Sequence, residues 1–175
     1  MAIQLDIRNV KGVRFFLSIL LAAILVLSTI PIAAVYAQPN TIGSEFQVNT
    51  YTYDQQSYPS AAMDADGNFV ITWTSYGQDG SGSGIYAQMY DISGSKVGSE
   101  FQVNTYTTDA QRNPSVAMDA DGNFVITWMS YGPDGHWWGI FAQMYDSTGS
   151  KVGSEFRVNT YTTYEQMYPS VAMDA

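Results

Sequence analysis

Apolar and polar residues alternate with a period of two over short stretches of this chain, and the stretches recur. Phe69, Ile71 and Trp73 fall on one side of an extended backbone, with Val70 and Thr72 on the other. Ile85, Ala87 and Met89 likewise oppose Tyr86, Gln88 and Tyr90. Phe46 and Val48 lie on the opposite side from Glu45 and Gln47. The pattern predicts four short strands, at residues 45–49, 60–64, 69–75 and 85–90, with no helix between them. Asp66-Gly67 between two apolar strands predicts a two-residue hairpin of type I′, because both residues tolerate positive φ. The glycine-rich run 77–84 reads as a loop, 50–58 as a polar and aromatic loop, and 91–96 as a turn.

The pattern is a repeat. Residues 114–128 restate residues 59–73 with Val116 for Ala61 as the single change, and 169–175 begin the stretch a third time. Gly43, Gly98 and Gly153 each open Gly-Ser-Glu-Phe-(Gln/Arg)-Val-Asn-Thr-Tyr-Thr, a period of 55, and 42 of 55 positions match between 43–97 and 98–152. A fixed period in this range marks propellers, solenoids or arrays. The units are repeat 1 (43–97), repeat 2 (98–152) and a truncated repeat 3 (153–175). Both faces of each predicted sheet are apolar or aromatic, which suits a sheet packed between copies of itself. The expected fold is therefore all-β, with four-stranded antiparallel repeats as β-propeller-like blades. A β-sandwich array is the alternative, but 55 residues fall well short of the roughly 100 of an immunoglobulin-like domain. Propellers close with about four to eight blades, and the chain holds about 2.5 units, so a fragment of a longer protein is expected.

The motifs also resemble something known. Glu100-Phe101-Gln102-Val103-Asn104-Thr105, the run Ala117 to Trp128, and Gly139-Ile140-Phe141-Ala142-Gln143-Met144-Tyr145-Asp146 are similar to tandem repeats of large secreted prokaryotic surface proteins. The resemblance covers 43–175. It implies β-propellers, often beside adhesion or calcium-binding modules. It brings no catalytic motif.

The N-terminal segment has a different character. Arg8, Lys11 and Arg14 precede a run from Phe15 to Leu27 that is apolar except for Ser18. Pro31 then interrupts any helix. Val35-Tyr36-Ala37 supplies short residues for cleavage after Ala37. Residues 1–37 thus read as a secretory signal peptide, a hydrophobic signal helix. The alternative is an uncleaved anchor, since residues 15–35 are long enough to span a bilayer. Either reading places the repeats outside the cytoplasm, secreted or membrane-anchored, with 38–42 as a linker.

Charge narrows the partners. Beyond residue 37 there are four basic residues against fifteen acidic ones. Such a surface repels phosphate backbones, which argues against nucleic acid. With no cysteine, stability must come from repeat-on-repeat burial. Trp73 and Trp128 are expected in that core.

Three sets of residues could carry chemistry. Asp64, Asp66 and Asn68, matched by Asp119, Asp121 and Asn123, place oxygens at alternate positions, as calcium loops do. Against calcium, Phe69 stands where an EF-hand needs glycine, and the turn alone explains Asp-Gly. Nor does the spacing from Asp66-Gly67 to Trp73 fit the Ser-x-Asp-x-Gly-x-Thr-Trp turn of sialidase-type propellers. The acids mostly recur, as Glu45/Glu100/Glu155, Asp64/Asp119/Asp174, Asp79/Asp134 and Asp91/Asp146. A catalytic carboxylate pair is normally unique, so recurrence points to structure. There is no Gly-x-Ser-x-Gly elbow and no paired histidine for zinc. His136-Trp137-Trp138 is the most individual stretch, replacing Ser81-Gly82-Ser83 in an otherwise preserved loop. Loop aromatics could stack on sugars or anchor a protein; alternatively both rings pack on the neighbouring unit. The segments 53–58, 108–113 and 163–168 also vary and are placed on the same rim. The expected function is a non-catalytic extracellular binding or display module for a protein or glycan, with no cofactor. The alternative is part of a secreted propeller hydrolase whose catalytic groups lie elsewhere.

Overall fold

The computed structural model describes residues 43–133 and 135–174. The expected signal or anchor segment (1–37), the linker (38–42) and Asp134 lie outside the described residues. No helix among the described residues is long and apolar enough to cross a membrane. The repeats form two four-stranded antiparallel sheets. In the first, β1 (Gln56–Met63), β2 (Phe69–Tyr76), β3 (Ser83–Tyr90) and β4 (Lys96–Gln102) lie side by side in chain order. In the second, β5 (Gln111–Met118), β6 (Phe124–Tyr131), β7 (Trp138–Tyr145) and β8 (Lys151–Arg157) do the same.

The sheets are out of phase with the sequence repeat. Residues 45–49, expected as a first strand, form none. Their counterparts in the next repeat close the preceding sheet instead: Phe101 pairs with Ala87 and Gln102 with Tyr86. A strand needs a neighbour for its backbone hydrogen bonds, and among the described residues no strand precedes 45–49 to pair with it as β3 pairs with β4. The segment still lies on the first sheet, with the Phe46 and Tyr90 ring centroids 5.3 Å apart. The first strand of each sheet starts earlier than the pattern suggested, at Gln56 and Gln111. Its ladder shifts register between Ser57 and Ser60, where Tyr58 adopts φ 52° ahead of Pro59.

The hairpin turn also differs from the expected type I′. The Asp64 N–H donates to the Asn68 carbonyl at 2.9 Å, enclosing three residues rather than two. Among those three only Gly67 has positive φ, at 88°. This is the three-residue hairpin with glycine in the left-handed position. The Asp64 side chain selects it. Its Oδ1 accepts the Asp66 and Asn68 N–H groups, both at 2.9 Å, and its Oδ2 accepts from Asn68 Nδ2 at 2.8 Å. Asp119 repeats the arrangement. Asp91 and Asp146 build the same turn with Ser95 and Ser150.

Register settles which side chains share a face, because directly opposed residues point the same way. Val70 opposes Met89, Thr72 opposes Ala87 and Thr74 opposes Ile85. On the other face of its own sheet, Phe124 opposes Tyr145, Ile126 opposes Gln143 and Trp128 opposes Phe141. Val70, Ile85 and Ala87 of the first sheet form one buried cluster with Phe124, Ile126, Trp128, Phe141 and Tyr145 of the second. The seam therefore joins unlike faces, as the two apolar faces of each strand pair suggested. Its rim is stitched by the Val116 N–H donating to Ser60 Oγ at 3.3 Å, and by Phe101 against Tyr145 at 5.5 Å. At about 25 cal/mol per Å² of apolar surface, rings this large dominate the seam.

Candidate functional site

The loops that follow β2 and β6 are closed by the same backbone hydrogen bond. Gly77 N–H donates to the Gly82 carbonyl at 2.8 Å, and Gly132 N–H to the Trp137 carbonyl at 2.9 Å. What differs is the neighbour each loop can accept. Gly82 lies against the loop of the following repeat, where an added Cβ would come 2.5 Å from the Asp109 carbonyl oxygen. Ser81 Oγ there accepts the Asp109 N–H at 3.2 Å. No side chain fits that contact, yet the second repeat has Trp137 at the equivalent position. The indole turns outward and is 58% exposed. It borders an open cleft of about 230 Å³ with His136, Thr163 and Tyr164.

The three candidate residues of this loop thus separate. His136 and Trp137 line the cleft, together with Thr163 and Tyr164 of the variable segment 163–168. Trp138 opens β7 and is half-buried, its ring edge-on to Tyr131 at 5.3 Å and 72°. Trp137 does not pack away, and Trp138 is held by its cross-strand partner Tyr131. Further exposed aromatics follow on the third repeat, Tyr161 and Tyr168 among them.

A polar clip holds the far wall, and it passed unnoticed in the sequence. Asn159 Oδ1 accepts the Ile140 N–H at 2.7 Å, while its Nδ2 donates to the Tyr161 carbonyl at 2.7 Å and to Gln166 Oε1 at 3.0 Å. Gln166 Nε2 in turn donates to the Thr163 and Tyr164 carbonyls at 3.2 and 3.0 Å. Two side-chain amides therefore fix the loop bearing Tyr164, which adopts φ 65°. The same clip joins Asn49 to Gln56 and Asn104 to Gln111. The signal was available: an Asn and a Gln seven residues apart in every repeat.

The oxygen-rich turns are engaged in their own hairpins. Hydrogen bonds from Asn68 hold the Asp64 carboxyl below its ordinary value, and Asn123 does the same for Asp119. Asn68 and Asn123 turn donor NH₂ groups, not oxygens, toward the aspartates. Asp64, Asp66 and Asn68 do share a cleft between the sheets with Asp121 and Gly122. Among the described residues, no group of three or more His, Cys, Asp or Glu is arranged to hold a metal ion.

The recurring glutamates clasp successive repeats. Glu100 Oε2 accepts the Thr50 N–H at 2.6 Å and its Oε1 accepts from Gln78 Nε2 at 2.6 Å. Glu155 accepts from Thr105 at both N–H and Oγ1, at 2.7 and 2.9 Å. Negative charge also reaches the buried phenol of Tyr86: burial first, then Asp79 and Glu100, push it up to about 12. Comparison of the chain with protein-family models, curated proteins and solved structures gives no match.

Proposed function

We propose that this chain is a non-catalytic segment of an extracellular or cell-surface repeat protein, whose β-propeller-like units display an aromatic cleft for a glycan. Export rests on the tripartite N-terminal segment, with residues 1–37 cleaved as a signal or kept as an anchor. The blade reading draws support from the four-stranded antiparallel order and from a seam that joins unlike faces. The resemblance to tandem repeats of secreted prokaryotic surface proteins points the same way.

The observation that carries the binding role is local. At the loop where three consecutive residues of the repeat are replaced, a closed contact at Gly82 becomes an open cleft bordered by Trp137 and Tyr164. Exposed aromatic faces beside polar groups suit the apolar face and hydroxyls of a sugar ring. A protein loop is the other occupant of this kind. Among the described residues, Asp64, Asp91, Asp119 and Asp146 are engaged in turns and Glu100 and Glu155 in clasps, which favours a structural role for them over the catalytic pair a hydrolase needs.

The test is titration of the full chain with neutral oligosaccharides, followed by indole fluorescence and by the Trp137 side-chain N–H resonance. Saturable shifts that disappear in Trp137→Ala support the reading. Shifts of equal size in that variant, or none with any oligosaccharide, overturn it.

A further inference from the structure

A second cleft, on the seam between the two sheets, is organised around a cation. Arg112 occupies a position that is Ser57 in the first repeat and Met167 in the third, so its charge is peculiar to the second. Its backbone is pinned. The neighbouring Asn113 adopts φ 55° and donates its N–H to Thr74 Oγ1 of the first sheet at 3.2 Å. The guanidinium is pinned as well, because Arg112 Nε donates to Ser83 Oγ at 3.1 Å, and Ser83 is buried at the start of β3. Its two terminal nitrogens have no hydrogen-bond or ion-pair partner among the described residues.

That is unexpected for this composition. Fifteen acids stand against four bases beyond residue 37, yet the cleft of about 140 Å³ holding Arg112 is lined by no carboxylate. Instead Tyr58 and Tyr76, both about half exposed, form its aromatic walls, with Gln55 and Ser57 beside them. Tyr58 is held there by its left-handed backbone ahead of Pro59, a conformation that costs energy for a residue with a side chain. A preset guanidinium fork presenting its two terminal nitrogens matches the planar geometry of a carboxylate. The two tyrosines and the amide suit a small hydroxylated ring.

We propose that this cleft binds the carboxylate of an acidic sugar residue, with the terminal nitrogens of Arg112 as its anchor. The site is separate from the aromatic cleft at Trp137 and does not depend on it. The negative surface elsewhere makes the interaction selective, because an acidic ligand is repelled except where Arg112 faces it.

The experiment titrates the isotopically labelled full chain at low ionic strength with glucuronate, glucose and acetate in parallel, reading the Arg112 Nε–H resonance. Glucuronate is expected to shift it saturably, acetate more weakly and glucose not at all. Arg112→Met, which places the residue of the third repeat here, should weaken glucuronate binding by at least about tenfold, the loss expected for a charge-assisted hydrogen bond. Arg112→Lys should restore part of it, as a point charge without the fork. Trp137→Ala should leave it unchanged. Equal responses to glucuronate and glucose, or binding that survives Arg112→Met in a variant with a native-like dispersed spectrum, would overturn the proposal. Acetate binding as tightly as glucuronate would overturn the sugar assignment.

Discussion

Gly82 and Asp109 touch so closely that a Cβ built on the glycine lies 2.5 Å from the Asp109 carbonyl oxygen, whereas Trp137 and Tyr164, their counterparts one repeat later, flank an open cleft. Where Ser81-Gly82-Ser83 gives way to His136-Trp137-Trp138, and the facing Asp109 to Tyr164, an open gap stands in place of a closed backbone contact. Gly82→Ala should therefore destabilise the chain by about 1–3 kcal/mol, because the obstacle is backbone and cannot swing aside. Chemical denaturation would show this as a lower midpoint at unchanged slope. An unchanged midpoint would mean the loops separate readily, and the difference between the repeats would lose its structural cause.

The two repeat tryptophans should not respond alike. Trp128 is fully buried in the seam, while Trp73 looks onto an apolar cleft of about 200 Å³ beside Val48, Asn49 and Pro59. Trp128→Ala is expected to cost about 3–5 kcal/mol, and Trp73→Ala distinctly less. The indole nitrogens of both are buried without a partner. Trp128→Phe should thus lose no hydrogen bond and only part of the buried ring, and cost less than Trp128→Ala. Equal midpoints for the two alanine variants would mean that the cleft leaves Trp73 as firmly packed as Trp128.

The turn aspartates make stability depend on acid. Hydrogen bonding lowers the folded pKa values of Asp64, Asp91, Asp119 and Asp146 below the ordinary 3.8. A lowered folded value means that the unfolded chain takes up the proton first. Their contribution is complete above the unfolded value and is lost as pH falls from there through the folded values. Asp119→Asn should lower the melting temperature at pH 7, and the gap from the parent should narrow below about pH 4. A gap independent of pH would remove the charge from the explanation. The same melts with calcium or a chelator should superimpose, because the Asp64 and Asp119 oxygens already accept N–H donors; a shift of several degrees with calcium would show that these turns reorganise around the ion.

Asn104 and Asn159 hold the same clip in different surroundings. Asn104 is 4% exposed and its partner Gln111 is fully buried, whereas Asn159 is half-buried. Asn104→Ala strands the Ile85 N–H and the Tyr106 carbonyl, for a loss of roughly 2–4 kcal/mol. Asn159→Ala should cost less in stability but free the loop of Tyr164, weakening any ligand held at Trp137. Calorimetry and the fluorescence titration together separate the two effects.

Much of the architecture was legible because side-chain alternation reports directly on strands. Phe69, Ile71 and Trp73 shared a face as expected, and the two-faced apolar pattern anticipated packing of sheet on sheet. The period of 55 said nothing about where a unit begins, which is why Glu100 and Phe101 were assigned to the opening of one repeat when they close the sheet of another. The Asp66-Gly67 pair is compatible with two turn types, and the choice fell to an Asp64 carboxylate that propensity does not consider. At the site, His136 and Trp137 stood out as departures from the repeat. The variable segment 163–168 was expected on the same rim, and its Thr163 and Tyr164 are the residues that border the cleft with them. The left-handed backbones of Tyr58 and Asn113 carried no glycine to announce them.

The seam joins the Val70, Ile85 and Ala87 side of one sheet to the Phe124, Ile126 and Trp128 side of the next. Because Val125, Ile140 and Ala142 restate the first surface, and Phe69, Ile71 and Trp73 the second, any stretch of one period encodes both halves of the joint. An unequal exchange of DNA that inserts or deletes one whole period would leave each remaining joint with the residues it had before. Such a gene can lengthen or shorten in whole steps, and a newly copied loop is then free to change without disturbing the joints.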